Sequence, residues 1–115
     1  MLKINIDKRS NLLWVNLEGK LINEQDSKKI SEQIIKEISK KYNTVIINLS
    51  KLNYINSSGF NNFLKILTSS RNLGGDTILC NPNSLIEKLL ITTKLNTIFN
   101  IQSEIENLED FLNKN

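Results

Sequence analysis

"TVIINLSKLNYINSSGFNNFL", residues 44–64, decides how this chain is read. Thr44 to Leu49 is β-branched and apolar on both alternating faces, the pattern of an interior strand covered on two sides. Phe60, Phe63, Leu64 and then Leu67 repeat at helical spacing, so a helix begins near Ser58 and stops at Gly74-Gly75, where a left-handed residue costs little. Asn53 to Ser58 is then a loop at the carboxyl end of a strand that feeds a helix N-terminus. In open α/β sheets this is where ligands and regulatory groups sit.

The same alternation extends in both directions. Leu2, Ile4 and Ile6 alternate with polar residues, Arg9-Ser10-Asn11 turns, and Leu13, Val15 and Leu17 alternate again up to Gly19, which predicts an N-terminal hairpin. Asn23 is an N-cap with Glu24 and Asp26 in the first turn, and Ile30, Ile34, Ile35 and Ile38 give a helix from Glu24 to Lys41. Downstream, Thr77 to Cys80 reads as a strand and Asn83 caps a helix bearing Leu85, Ile86, Leu89 and Leu90. Thr97 to Ile101 reads as a last strand, and Ser103-Glu104-Ile105-Glu106 as a capping box opening a terminal helix with Leu108, Phe111 and Leu112 inward. The expected fold is α/β: a mixed, mostly parallel sheet of four or five strands, about four helices and the initial hairpin, one domain over 1–115.

Composition narrows the function. The 115 residues suit a single core, and 39% hydrophobic with 23% charged residues is ordinary for a folded domain. Fifteen Lys and Arg against twelve Asp and Glu give +3, spread in pairs such as Lys28-Lys29 and Lys40-Lys41, so no clustered patch invites nucleic acid. The absence of histidine removes His-based triads and His metal sites. Cys80, the only cysteine, forms no disulfide and no thiolate cluster, which suits a reducing cytoplasm. The aspartates show no metal-loop spacing, and neither phosphate-binding loop pattern is present; no cofactor or metal is expected. No signal-peptide pattern and no long apolar run is seen, so neither secretion nor membrane insertion is expected.

The chemistry therefore falls on Asn56-Ser57-Ser58-Gly59. Asn56, Ser57 and Ser58 can cap the second helix while Gly59 admits close packing. Alternatively, unpaired N–H groups and the positive end of the dipole would favour a phosphate there by roughly 0.3 to 1 kcal/mol. Local chemistry leaves both readings open.

"VIINLSKLNYINSSGFNNFL" resembles the central segment of STAS domains of the bacterial anti-sigma factor antagonist type, where a strand leads into an Asp-Ser-Ser/Thr-Gly turn. "LEGKL" after the hairpin, "SSRNLGGDTILCN" after the second helix and "LIEKLLITTKL" in the third resemble the matching family segments, so nearly the whole chain is covered. The resemblance implies a non-catalytic protein-binding switch. Its phosphoacceptor falls on Ser57, with Ser58 as second choice, and its partner is a serine kinase that is also the anti-sigma factor. Asn56, Ser57, Ser58, Gly59, Asn61 and Asn62 are the implied partner-binding residues, and a monomer is the default expectation. Asn56 stands where the family usually carries Asp, Ile22 where many members carry Asp, and Lys94 where Gly is frequent. Asn56 and Ile22 motivate an alternative, a constitutive scaffold or accessory subunit of a lipid-transport or other complex that is not phosphorylated. A small enzyme or phosphoaspartate receiver lacks the acidic cluster after the strands that it would need. Trp14 is expected to pack against the sheet, Cys80 to be a buried small hydrophobe, and Lys65 and Arg71 to be solvated.

Overall fold

The computed structural model describes residues 2–115. Strands β1 (Lys3–Arg9) and β2 (Leu12–Leu21) form the hairpin, followed by α1 (Glu24–Glu37), β3 (Thr44–Ile55), α2 (Ser57–Asn72), β4 (Asp76–Cys80), α3 (Ser84–Thr92), a 3₁₀ turn at Leu95–Thr97, β5 (Asn100–Gln102) and α4 (Leu108–Lys114). The sheet order is β1-β2-β3-β4-β5, with β1 antiparallel to β2 and every later pair parallel. Because each crossover steps one strand in the same direction, right-handed connections put α1, α2 and α3 on one face. The fold class, the five strands and the hairpin agree with the expectation from the residues.

Alternation along the strands splits the core in two. Leu13, Val15 and Leu17 of β2, Val45, Ile47 and Leu49 of β3 and Leu79 of β4 face the three helices, meeting Ile30 and Ile34 of α1, Phe63 and Ile66 of α2, and Ile86 and Leu90 of α3. Leu12, Trp14, Ile46, Ile78 and Cys80 face the other way, where Ile105 and Phe111 cover them. Trp14 is 2% exposed with its ring 6.4 Å from that of Phe111, so it packs as expected, and Cys80 is fully buried.

Several boundaries differ, each for a local reason. Helix α1 ends at Glu37 rather than Lys41: Ile38 is extended, and Ser39 and Tyr42 form a turn in which the Ser39 hydroxyl accepts the Tyr42 N–H at 3.2 Å. A serine that bonds nearby backbone competes with the helix. β2 continues past Gly19, which takes φ +114° at a shift in the β2–β3 register, so the glycine marks a bulge and not an end. That continuation gives β3 a partner as far as Ile55, twelve residues against the six expected. The last strand is displaced: Leu95–Thr97 is a 3₁₀ turn entered through Lys94 at φ +62°, and pairing begins only at Asn100. The terminal capping box is also displaced. Glu104 is left-handed, Ile105 is buried, and the helix opens at Asn107, whose side chain accepts from Asp110 N at 2.9 Å.

Candidate functional site

The turn after β3 is tighter than the expected six-residue loop, because Asn56 alone separates strand from helix. Asn56 is the N-cap of α2: its Oδ1 accepts the Gly59 N–H at 3.1 Å, and its carbonyl accepts Phe60 N–H at 3.1 Å. Its backbone N–H donates to Leu21 O at 3.0 Å and its Nδ2 to Ile22 O at 2.9 Å. The last contact requires an amide, since a carboxylate has no N–H to give a carbonyl. Asn56 thus ties the start of α2 to the β2–α1 junction, and Ile22 contributes its carbonyl while the residue stands 56% exposed.

Ser57 is the first helical residue and is exposed; no hydrogen bond engages its hydroxyl among the described residues. Ser58 is half-buried. Gly59 is buried with an ordinary backbone, and it is required by space: a Cβ would sit 2.4 Å from Cγ1 and 2.8 Å from Cδ1 of the buried Ile55. Filling that contact forces core side chains to shift, at about 1–3 kcal/mol. The first turn of α2 carries no acid, so its dipole and free N–H groups are not offset by a carboxylate of its own.

The candidate partner residues divide. Asn61 is exposed beside Ser57, with Lys65 exposed one turn on. Asn62 does not stand on that face: it is 6% exposed, donates to Ser58 O at 2.9 Å and accepts from Ser31 Oγ of α1 at 2.8 Å. Its polar spacing on α2 suggested solvent, but the close approach of α1 encloses it. Arg71 is more than solvated, since it bridges Asp76 Oδ1 at 3.1 Å and Ile98 O at 3.0 Å. Two contributions were invisible in the residues around the turn: the Ile22 carbonyl, and Asn83, whose Nδ2 reaches Leu52 O and Asn53 O at 3.2 Å and holds the end of β3. Helical-cap chemistry at Asn23, Asn56, Asn83 and Asn107 was the available signal, as a neutral amide can cap and donate at once.

Shifted ionisations lie away from this turn. Burial pushes the Cys80 thiol up to about 12, so it is an inert core residue. The Lys8–Glu37 hydrogen bond raises the lysine and lowers the glutamate. The Glu106 backbone N–H holds Asp110 below the usual carboxylate range. Among the described residues no three His, Cys, Asp or Glu side chains are grouped to hold a metal, and no helix is long and apolar enough to cross a membrane.

An exposed serine on a short strand-to-helix turn is what the chain offers. BtrV of Bordetella bronchiseptica, described as a candidate anti-sigma factor antagonist, is 22% identical over 105 residues, covering 91% of this chain and 90% of BtrV. The fold matches a candidate anti-sigma factor antagonist from Thermotoga maritima with TM-score 0.82 at 21% identity, over 96% of this chain and 92% of that one. It also matches the anti-sigma factor antagonist SpoIIAA in its unphosphorylated form with TM-score 0.74 at 23% identity, over 99% and 95% of the two chains. The same Bacillus protein has a structure in a phosphorylated form, matched with TM-score 0.74 at 20% identity over 97% and 98%. At these identities the structural likeness concerns the fold. The STAS domain profile matches residues 3–108, and the chain belongs to the STAS domain family.

Proposed function

We infer that the chain is an anti-sigma factor antagonist, a non-catalytic cytoplasmic switch that docks a kinase-type anti-sigma factor while Ser57 is unmodified and releases it once Ser57 carries phosphate. The observation that carries this reading is the exposure of Ser57 at the first position of α2. Asn56 and Ser58 flank it in the chain and exposed Asn61 lies one turn on, all three uncharged, with exposed Lys65 a turn further. Phosphoryl transfer would join Ser57 Oγ to the γ-phosphorus of ATP held by the partner, with ADP leaving and the hydroxyl proton lost. Asn56 is neutral with both ends of its amide engaged, so the base that takes the proton belongs to the partner. The product adds roughly 1.5 to 2 negative charges to this turn, which the α2 N-terminus tolerates within the fold while a bound partner would have to desolvate them. Binding is then lost without unfolding.

The test is affinity capture of the native protein with phosphosite mapping, followed by binding of the captured kinase to two variants. Phosphate on Ser57 is expected, with Ser57→Ala binding like the unmodified chain and Ser57→Asp at least tenfold more weakly. An unmodified Ser57 together with equal binding of the two variants would remove the switch. The amide at Asn56 favours a second reading, a constitutive scaffold, which capture of transport ATPase subunits with an unmodified Ser57 would support.

A further inference from the structure

On the sheet face that α4 only partly covers, beyond Trp14 and Ile46, the chain places asparagines where apolar residues would otherwise continue. Trp14 Nε1 donates to Asn16 Oδ1 at 3.1 Å, and Asn48 Nδ2 donates to the same oxygen at 2.8 Å. Asn48 Oδ1 in turn accepts from Ser50 N at 3.2 Å and Asn81 Nδ2 at 2.9 Å, and Asn81 Oδ1 accepts from Ile105 N at 2.9 Å. Indole and backbone N–H groups only donate, so each amide in the row has one permitted orientation. The consequence is directional: the row ends at Asn16 with Nδ2 turned away from its neighbours, and its two N–H groups meet no acceptor among the described residues.

Those N–H groups border a basin of about 470 Å³ on the sheet, within the roughly 300–1,000 Å³ of small-molecule sites. Its floor includes Asn48, which is 8% exposed. Its walls carry Lys3 and Lys51 as well as Glu18 and Glu106, none of which joins an ion pair among the described residues. The register sets Glu18 opposite Lys3 on one side and Lys51 on the other, so charges of both signs alternate along this rim. The outward N–H donors and the ammonium groups suit a carboxylate, and the glutamates suit a cationic group.

We propose that this basin binds a small zwitterion of the α-amino acid class, its carboxylate on Asn16 Nδ2 and the lysines and its ammonium toward Glu18 and Glu106. The site is independent of Ser57. Trp14, the only tryptophan, is bonded to Asn16 and reports occupancy directly. The full chain, labelled with ¹⁵N, is titrated with L-alanine, L-glutamine and L-lysine, and with acetate, ethylammonium and inorganic phosphate as single-charge probes. Saturable shifts of the Trp14 indole and Asn16 side-chain resonances are expected with at least one amino acid, at millimolar or tighter affinity, and at least tenfold weaker with acetate. Asn16→Asp keeps the acceptor for Trp14 and Asn48 but removes the outward donor, and should lower affinity tenfold or more. Lys51→Met, on the exposed rim, leaves the floor intact and should lower it several-fold even if the first variant folds poorly. Absence of saturation with every amino acid, or acetate or phosphate binding as tightly as the amino acids, would overturn the assignment.

Discussion

The two faces of one sheet are built from the same strands and yet differ in kind. On the α1–α3 face, Leu13, Val15, Val45, Ile47, Leu49 and Leu79 are all fully buried beneath three helices. On the other, the apolar positions of β2 and β3 stop after Trp14 and Ile46, where Asn16 and Asn48 continue the rows, and Asn81, just past the end of β4, joins them in a hydrogen-bonded chain. The difference follows from cover. A seven-residue α4 shields only part of its face, so the remainder must remain compatible with water, and linked amides satisfy one another while the strand stays paired. Stability is therefore weighted toward the α1–α3 face.

Substitutions on each face sharpen this contrast. Ile47→Ala, at a fully buried position among three helices that cannot all close in, should cost about 3–4 kcal/mol in urea unfolding, with the whole transition shifted. A loss under about 1 kcal/mol would contradict the claim that this face carries the fold. Phe111→Ala should cost less, about 2 kcal/mol instead of the roughly 3–5 of an enclosed phenylalanine, since a short terminal helix can undock rather than leave a cavity. Its specific mark is a red shift of Trp14 fluorescence before global unfolding, as the ring that covers the indole withdraws. Retention of the native emission would show α4 held by something other than Phe111.

Acid should also loosen α4, with a smaller effect. Asp110, at the start of α4, is held below the ordinary carboxylate range chiefly by the Glu106 N–H, with Lys114 also lowering it. A depressed folded-state value means that the group stabilises the fold above its unfolded pKa and that this contribution is lost as pH falls below about 4, through the lower folded value. Trp14 exposure should rise over that window, and Asp110→Asn should abolish the pH dependence without altering the α1–α3 face. A variant that still titrates identically would assign the effect to another carboxylate.

The candidate site was legible to different depths. That the Asn56-Ser57-Ser58 run caps the second helix followed from local spacing, because capping is decided within four residues, but the run divides: Asn56 is the cap and Ser57, expected in the loop, is already helical. Asn62 could not be read this way. Its inward position depends on Ser31 of α1, thirty-one residues away, arriving at hydrogen-bond distance. The meaning of Gly59 was half legible: its need for close packing was foreseen, but the neighbour it makes room for, Ile55, became evident only once β3 ran on to meet the helix. The displaced terminal cap has a long-range cause, since Asn81 captures Ile105 across the fold and overrides the local box.

The chain's residues alone determined the order of strands and helices, the apolar stripe of each element and the polar turn at Ser57, since periodicity and capping are properties of neighbours along the backbone. Tertiary structure decided where β2 and β3 end, which asparagines are buried and which way their amides point. Those outcomes depend on partners distant in sequence: a bulge at Gly19 that keeps two strands paired, and a tryptophan N–H that orients Asn16. Hydrogen-bond direction is set by the group at the far end of the bond, and no local pattern names that group.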